Sequence, residues 1–169
     1  MQSTALPVAW ITLRILIIIN WVSGAAILAL LTATIVAEQW TFAALGIDDA
    51  SGIPGMIGGL RAIAALGIVA VPLNYAILKR LVAIVETVRR GDPFVSANAI
   101  RLRGIAWSLL ALQLLSLVIG GIGKAISMPA HPLRLDAGFS TSGWLAVVLT
   151  FVLARVFAEG TLMRRDLEG

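Results

Sequence analysis

This chain of 169 residues has no cysteine, a single histidine and few charges. Without cysteine there are no disulfides, thiolate metal sites or cysteine nucleophiles, and the lone His131 excludes a metal site built from several histidines. Charged residues make up 13% of the sequence, against about 25% in soluble domains, while hydrophobic residues make up 59%. This is the composition of a protein dissolved in lipid rather than water.

Four long apolar stretches account for this composition. They cover residues 8–37, 55–78, 105–123 and 143–157. Each is close to the roughly 20 residues that a helix needs to cross a hydrocarbon core about 30 Å thick. Little sequence remains for a soluble domain, so we predict one all-α membrane domain over residues 1–169, with four transmembrane helices.

Basic residues are distributed unevenly between the connecting segments. Segment 79–103 contains six lysines and arginines, whereas segment 38–54 contains three acids and no basic residue. Basic segments next to membrane spans stay in the cytoplasm. We therefore predict that the middle segment and both termini are cytoplasmic.

The middle segment has the pattern of a structured hairpin. After the second apolar stretch ends at residue 78, apolar residues still recur at the spacing of an amphipathic helix. Gly91-Asp92-Pro93 predicts a sharp helix end, and Ser96 predicts the N-cap of the next helix. We expect residues 79–104 to form a helical hairpin with Phe94 near its tip. The end of the chain predicts a second amphipathic helix, able to pack on the first.

Two segments resemble one protein family. Residues 89–103 read RRGDPFVSANAIRLR and resemble a motif G-x-P-F, then Asn, then L-R. Residues 156–169 read VFAEGTLMRRDLEG and resemble an ending V-F-x-x-G-x-x-L-R-x-D, with Met163 where Leu is more frequent. In these motifs and in span layout the chain is similar to the domain of unknown function 2975 family, small bacterial four-helix membrane proteins.

This resemblance implies a location in the bacterial cytoplasmic membrane. Members are frequently encoded beside a small helix-turn-helix regulator, which implies a membrane partner for a transcription factor. We hypothesise that the hairpin and the tail 159–169 bind and sequester such a regulator, with Phe94 as an apolar anchor, and we expect no cofactor. The candidate partner-binding residues are Arg89, Arg90, Asp92, Pro93, Phe94, Asn98, Arg101, Arg103 and Arg164.

A transporter or channel subunit is the first alternative, because such a protein needs polar groups across the membrane midplane. The intramembrane polar candidates are Asn20, Arg61 and Asn74. Arg61 lies near the outer end of the second span, where Glu38, Asp48 or Asp49 could pair with it. No acid lies well inside a span, which argues against proton or cation coupling. A sensor of lipids or hydrophobic ligands is a further alternative.

Two other classes are not expected. The sequence has no paired carboxylates, nucleophile–base set or metal cluster, so we do not predict an enzyme. Direct binding to nucleic acid is not predicted either, because the basic hairpin would lie beside an anionic leaflet and lacks a recognisable reading helix.

A glycine pair bears on the assembly of the chain. Gly55 and Gly59 have the GxxxG spacing, which lets helix backbones approach closely. The spacing indicates tight packing within one chain or between chains, so it leaves a homo-oligomer open.

Overall fold

The computed structural model describes residues 5–44, 55–92, 94–127 and 138–168. These residues form five helices and no strand. The helices are α1 (Ala5–Val36), α2 (Glu38–Ala44), α3 (Met56–Arg89), α4 (Ser96–Ile126) and α5 (Thr141–Glu168). All but α2 are long and apolar enough to cross a membrane. The predicted all-α class with four transmembrane helices is confirmed.

The long helices extend beyond the apolar stretches that predicted them. α3 has 34 residues and α4 has 31, which is about 50 Å of helix at 1.5 Å per residue. The extra turns lie at the end of α3 and the start of α4, where apolar residues continue at helical spacing among charged ones. α2 was not predicted, because its seven residues fall in what the sequence indicated as a connecting loop.

Contacts along the chain divide it into two compact units. The first unit contains residues 1–20, 73–112 and 141–169, and the second contains residues 21–72 and 113–140. Helices α1, α3 and α4 therefore contribute to both units, whereas α5 belongs to the first and α2 to the second.

The first unit has an apolar core between α3, α4 and α5. Leu102 and Ile105 of α4 and Ala154 of α5 are buried together. The partly buried residues that pack against them are Ile77, Leu81, Ile84, Leu109 and Phe157. The hairpin helices and the C-terminal helix are thus joined by buried hydrophobic surface, as their amphipathic patterns predicted.

The second unit brings helix backbones together at glycines. A Cβ atom added to Gly59 of α3 would lie 2.7 Å from a methyl group of Ile126 in α4. Gly55 instead precedes α3, has a φ of 79° and would meet no atom within 4 Å. The GxxxG spacing is therefore not a two-glycine helix surface, and the contact of Gly59 lies within the chain. The motif gives no support to a homo-oligomer.

Candidate functional site: the hairpin and the C-terminal helix

The end of α3 is closed by a left-handed glycine. Gly91 has a φ of 83°, donates its N–H to the carbonyl of Val88 at 3.0 Å, and is followed by Asp92, which donates to the carbonyl of Thr87 at 3.2 Å. These two bonds form a Schellman motif, which needs a residue without a Cβ penalty at the left-handed position. The predicted helix end is confirmed. Pro93 lies outside the described residues.

The start of α4 is one residue earlier than an N-cap at Ser96 would place it. Ser96 is the first helical residue, and the carbonyl of Val95 accepts the N–H of Asn98 at 2.9 Å. Val95 therefore occupies the flanking position, so the prediction of a capping serine is wrong by one residue.

Asn98 links the two helices of the hairpin by side-chain hydrogen bonds. Its side chain is fully buried, with 0% exposure. Its Nδ2 donates to Thr87 Oγ1 at 2.7 Å, and its Oδ1 accepts from Arg101 Nη1 at 2.8 Å. Arg101 Nη1 also donates to the carbonyl of Ala83 at 3.3 Å. Asn98 and Arg101, both predicted to contact a partner, therefore bond to α3, and Asn98 lies beneath the surface.

Phe94 joins the hairpin to α5. Its ring stacks on that of Phe157, with centroids 5.4 Å apart and planes inclined by 28°. A Cβ atom on Gly160 would lie 3.5 Å from the Phe94 ring, which is an ordinary contact distance, so Gly160 lies directly beside the aromatic pair. Phe94 remains 48% exposed. The two sequence segments that carry the family resemblance thus contact each other.

The other predicted arginines differ in how they are paired. Arg89 and Arg90 lie 3.6 Å and 3.1 Å from the carboxylate of Glu86, one helical turn earlier. Such exposed pairs contribute little to stability but reduce the charge that the surface presents. Arg103 is exposed and forms no ion pair within the described part of the chain. Arg164 belongs to α5, but its side chain lies outside the described residues.

A groove of about 400 Å³ separates α4 from α5. Its lining residues are Ala99, Ile100, Arg103, Phe151, Ala154, Arg155 and Ala158. Alanines form much of the lining, and Ile100 is 73% exposed at its edge. Arg103 supplies positive charge, whereas Arg155 is paired with Glu159 at 2.6 Å. Sequence reasoning missed Ile100, although an apolar side chain on the polar face of the α4 start was a signal that could have revealed it.

The intramembrane polar candidates are divided between the two units. Arg61 Nη2 lies 2.7 Å from Glu38 Oε2 and also donates to the carbonyl of Thr34. Glu38 was one of its predicted partners, and the other two lie outside the described residues. Asn20 and Asn74 belong to the first unit and Arg61 to the second. Arg61 is therefore bound by α1 and α2 of its own unit.

Four helices able to cross a membrane and a folded polar hairpin define a small multi-pass membrane protein. Residues 47–169 match the family model described as protein of unknown function (DUF2975). The chain belongs to this family, and the match includes both the hairpin and the C-terminal helix. No curated protein and no solved structure matches the chain.

Proposed function

We propose that this protein is a regulatory protein of the bacterial cytoplasmic membrane that binds and sequesters a small helix-turn-helix transcription regulator. The observation that carries the proposal is the groove between α4 and α5, with exposed Ile100 and Arg103 at its edge. The uneven distribution of basic residues supports an orientation with both termini inside, in which this groove would face the cytoplasm.

The shape and charge of the groove favour an amphipathic helix as the bound element. Helices commonly dock by laying apolar side chains at i, i+3, i+4 and i+7 into a groove. The alanines of α4 and α5 leave space for such side chains, and Ile100 offers them an apolar contact. Arg103 favours an acidic face on the partner. We therefore expect the regulator to use an acidic amphipathic helix.

Sequestration would follow from mass action. A regulator held at the membrane is not available to its operator DNA. A signal with a coupling free energy of about 1–3 kcal/mol would change the affinity for the regulator about 5- to 150-fold. The helices that form the groove share one core with the hairpin, so a change in that core would also change the groove.

The test compares a double substitution at the groove with a charge reversal near the other end of the same helix. We expect vesicles carrying the full chain to bind the regulator and to compete with its operator DNA. Ile100→Glu/Arg103→Glu should weaken this binding by roughly 30-fold, because the loss of an apolar contact together with a cation is expected to cost about 2 kcal/mol. Lys124→Glu, near the other end of α4, should leave it unchanged. Phe94 is unsuitable for this test because it also packs against Phe157.

Two results would contradict the proposal. One is failure of the wild-type chain to compete with operator DNA for the regulator encoded beside it. The other is equal competition by wild type and Ile100→Glu/Arg103→Glu when both have the same thermal midpoint.

A further inference from the structure

Two neighbouring clefts of the first unit are lined by basic and aromatic side chains. One, of about 710 Å³, lies between α1 and α3 and includes Arg14 and Lys79 in its lining. The other, of about 470 Å³, shares Tyr75 and Lys79 with the first and adds Arg80 and Arg101. Together the two clefts are lined by four cationic side chains, which come from three helices.

These four cations have no acidic partner in the part of the chain that the structure describes. Arg80 Nη1 donates to Ser108 Oγ at 3.0 Å and to the carbonyl of Gly104 at 3.2 Å, both uncharged groups. A Cβ atom on Gly104 would lie 2.7 Å from Arg80 Nε, so the glycine leaves space for the guanidinium. Arg101 likewise bonds to an amide and a carbonyl oxygen. The positive charge of the clefts is therefore not neutralised by these contacts.

One acid lies in the wall of the larger cleft, and it is already engaged. Glu86 pairs with Arg90 at 3.1 Å and with Arg89 at 3.6 Å. Its negative charge is balanced by side chains other than the four cations. The electrostatic environment of the two clefts thus favours an anion.

The larger cleft also has an apolar and aromatic wall. Ile17 and Ile18 of α1 and Val82 of α3 line it beside the cations. The Arg14 guanidinium lies 4.9 Å from the Trp10 ring centroid, and Lys79 Nζ lies 6.0 Å from that of Tyr75. Tryptophan and tyrosine with lysine and arginine beside them are typical of the membrane–water interface. A ligand that fits this wall needs a hydrocarbon part as well as a negative charge.

We propose that an anionic phospholipid occupies these clefts, with its phosphate against Arg14, Lys79, Arg80 and Arg101 and an acyl chain along Ile17 and Ile18. Basic pockets between transmembrane helices bind acidic lipid headgroups by this combination of charge and depth. The site is distinct from the groove between α4 and α5, with which it shares no lining residue. The inference therefore does not depend on the proposed function.

Arg14 and Lys79 are the residues to change first. Within the described residues both lie near aromatic rings and form no hydrogen bond or ion pair through their side chains, whereas Arg80 and Arg101 bond to neighbouring helices. We expect the purified full chain to bind phosphatidylglycerol saturably in native mass spectrometry, and phosphatidylcholine much more weakly. Arg14→Gln/Lys79→Gln should weaken phosphatidylglycerol binding roughly 30-fold, about fivefold for each cation removed.

Three controls make the result specific. Arg14→Lys/Lys79→Arg keeps both charges and should retain binding. Arg103→Gln removes one cation from the other groove and should also retain it. All variants are compared at matched thermal midpoints, so a folding defect is distinguished from loss of the site.

Three outcomes would overturn the proposal. Equal affinity for phosphatidylcholine would remove the role of charge. Equal weakening by Arg103→Gln would indicate attraction to the whole basic surface rather than to these clefts. Displacement of the lipid by millimolar inorganic phosphate would assign the site to a free anion.

Discussion

Two adjacent glycines of α3 have opposite surroundings. A Cβ atom on Gly59 would lie 2.7 Å from Ile126, whereas one on Gly58 would meet no atom within 4 Å. Both residues lie in the same helix turn, so they share backbone geometry and helix propensity. Comparing the same substitution at the two glycines therefore measures the effect of the close contact between α3 and α4.

We predict that Gly59→Ala lowers the thermal midpoint of the detergent-purified chain and that Gly58→Ala does not. Overpacking typically costs about 1–3 kcal/mol. Alanine is about 1 kcal/mol better than glycine in an open helical position, so Gly58→Ala should be neutral or stabilising. Thermal unfolding, monitored by circular dichroism, measures the midpoints of both variants. Identical midpoints for the two variants would show that the contact with Ile126 does not constrain the helix.

At the scale of elements, the turn between α3 and α4 determines where the hairpin reverses. Gly91 adopts a φ of 83°, and its bonds close the last turn of α3. A residue with a Cβ atom is destabilised by about 1–2 kcal/mol in this left-handed conformation. Asparagine tolerates the conformation best after glycine. The turn is therefore held by backbone geometry as well as by the buried Asn98.

We predict that Gly91→Ala loosens the hairpin and that Gly91→Asn has a smaller effect. Limited proteolysis between residues 90 and 97, in lipid nanodiscs, should proceed several-fold faster in the alanine variant. Gly121→Ala is the matched control, because that glycine lies within α4 and its Cβ would meet no atom within 4 Å. Equal cleavage rates of wild type and Gly91→Ala would show that a Cβ atom at position 91 does not strain the turn between α3 and α4.

The elements could be predicted where the signal is local. The apolar lengths predicted four spanning helices, and Gly91 followed by a proline predicted the end of α3. The short α2 was missed because seven residues carry too little periodicity to distinguish a helix from a loop. Its first residue, Glu38, was nevertheless predicted as a partner for Arg61, because opposite charges were expected on the same side of the membrane.

The candidate site depends on contacts between distant residues, which local patterns do not contain. Phe94 and Asn98 were both selected as partner-binding residues from one motif. Their surroundings differ in the structure, since Phe94 is half-exposed and stacks on Phe157, whereas Asn98 is fully buried and bonds to Thr87 of α3. Only the packing of α3, α4 and α5 decides which residues of the motif face outward. The groove between α4 and α5 was missed for the same reason, although the position of Ile100 on a polar helix face was a local signal.

At the scale of the whole molecule, the lack of cysteine makes orientation directly measurable. We predict that a cysteine at position 97, as Ala97→Cys, reacts with an impermeant maleimide only after cells are permeabilised. Ser51→Cys should react in intact cells, because its segment contains acids and no basic residue. Ala97 is exposed at the start of α4, so the reagent can reach it once inside.

The wild-type chain provides the background control, since it has no thiol to label. Labelling of both positions in intact cells would contradict a membrane-spanning segment between them. The reverse pattern, with position 97 labelled first, would place the hairpin outside and exclude a cytoplasmic regulator as its partner.

The contact between the hairpin and α5 also has a consequence for biosynthesis. The core around Leu102 and Ile105 is completed by Ala154 and Phe157, and the groove takes one wall from α4 and the other from α5. Ribosomes release the chain from its N-terminus, so α5 emerges after α3 and α4. A product truncated before α5 lacks both the remaining core residues and one wall of the groove. On the function proposed above, such a truncated product would leave the regulator on its operator DNA, and only chains that include α5 would change gene expression.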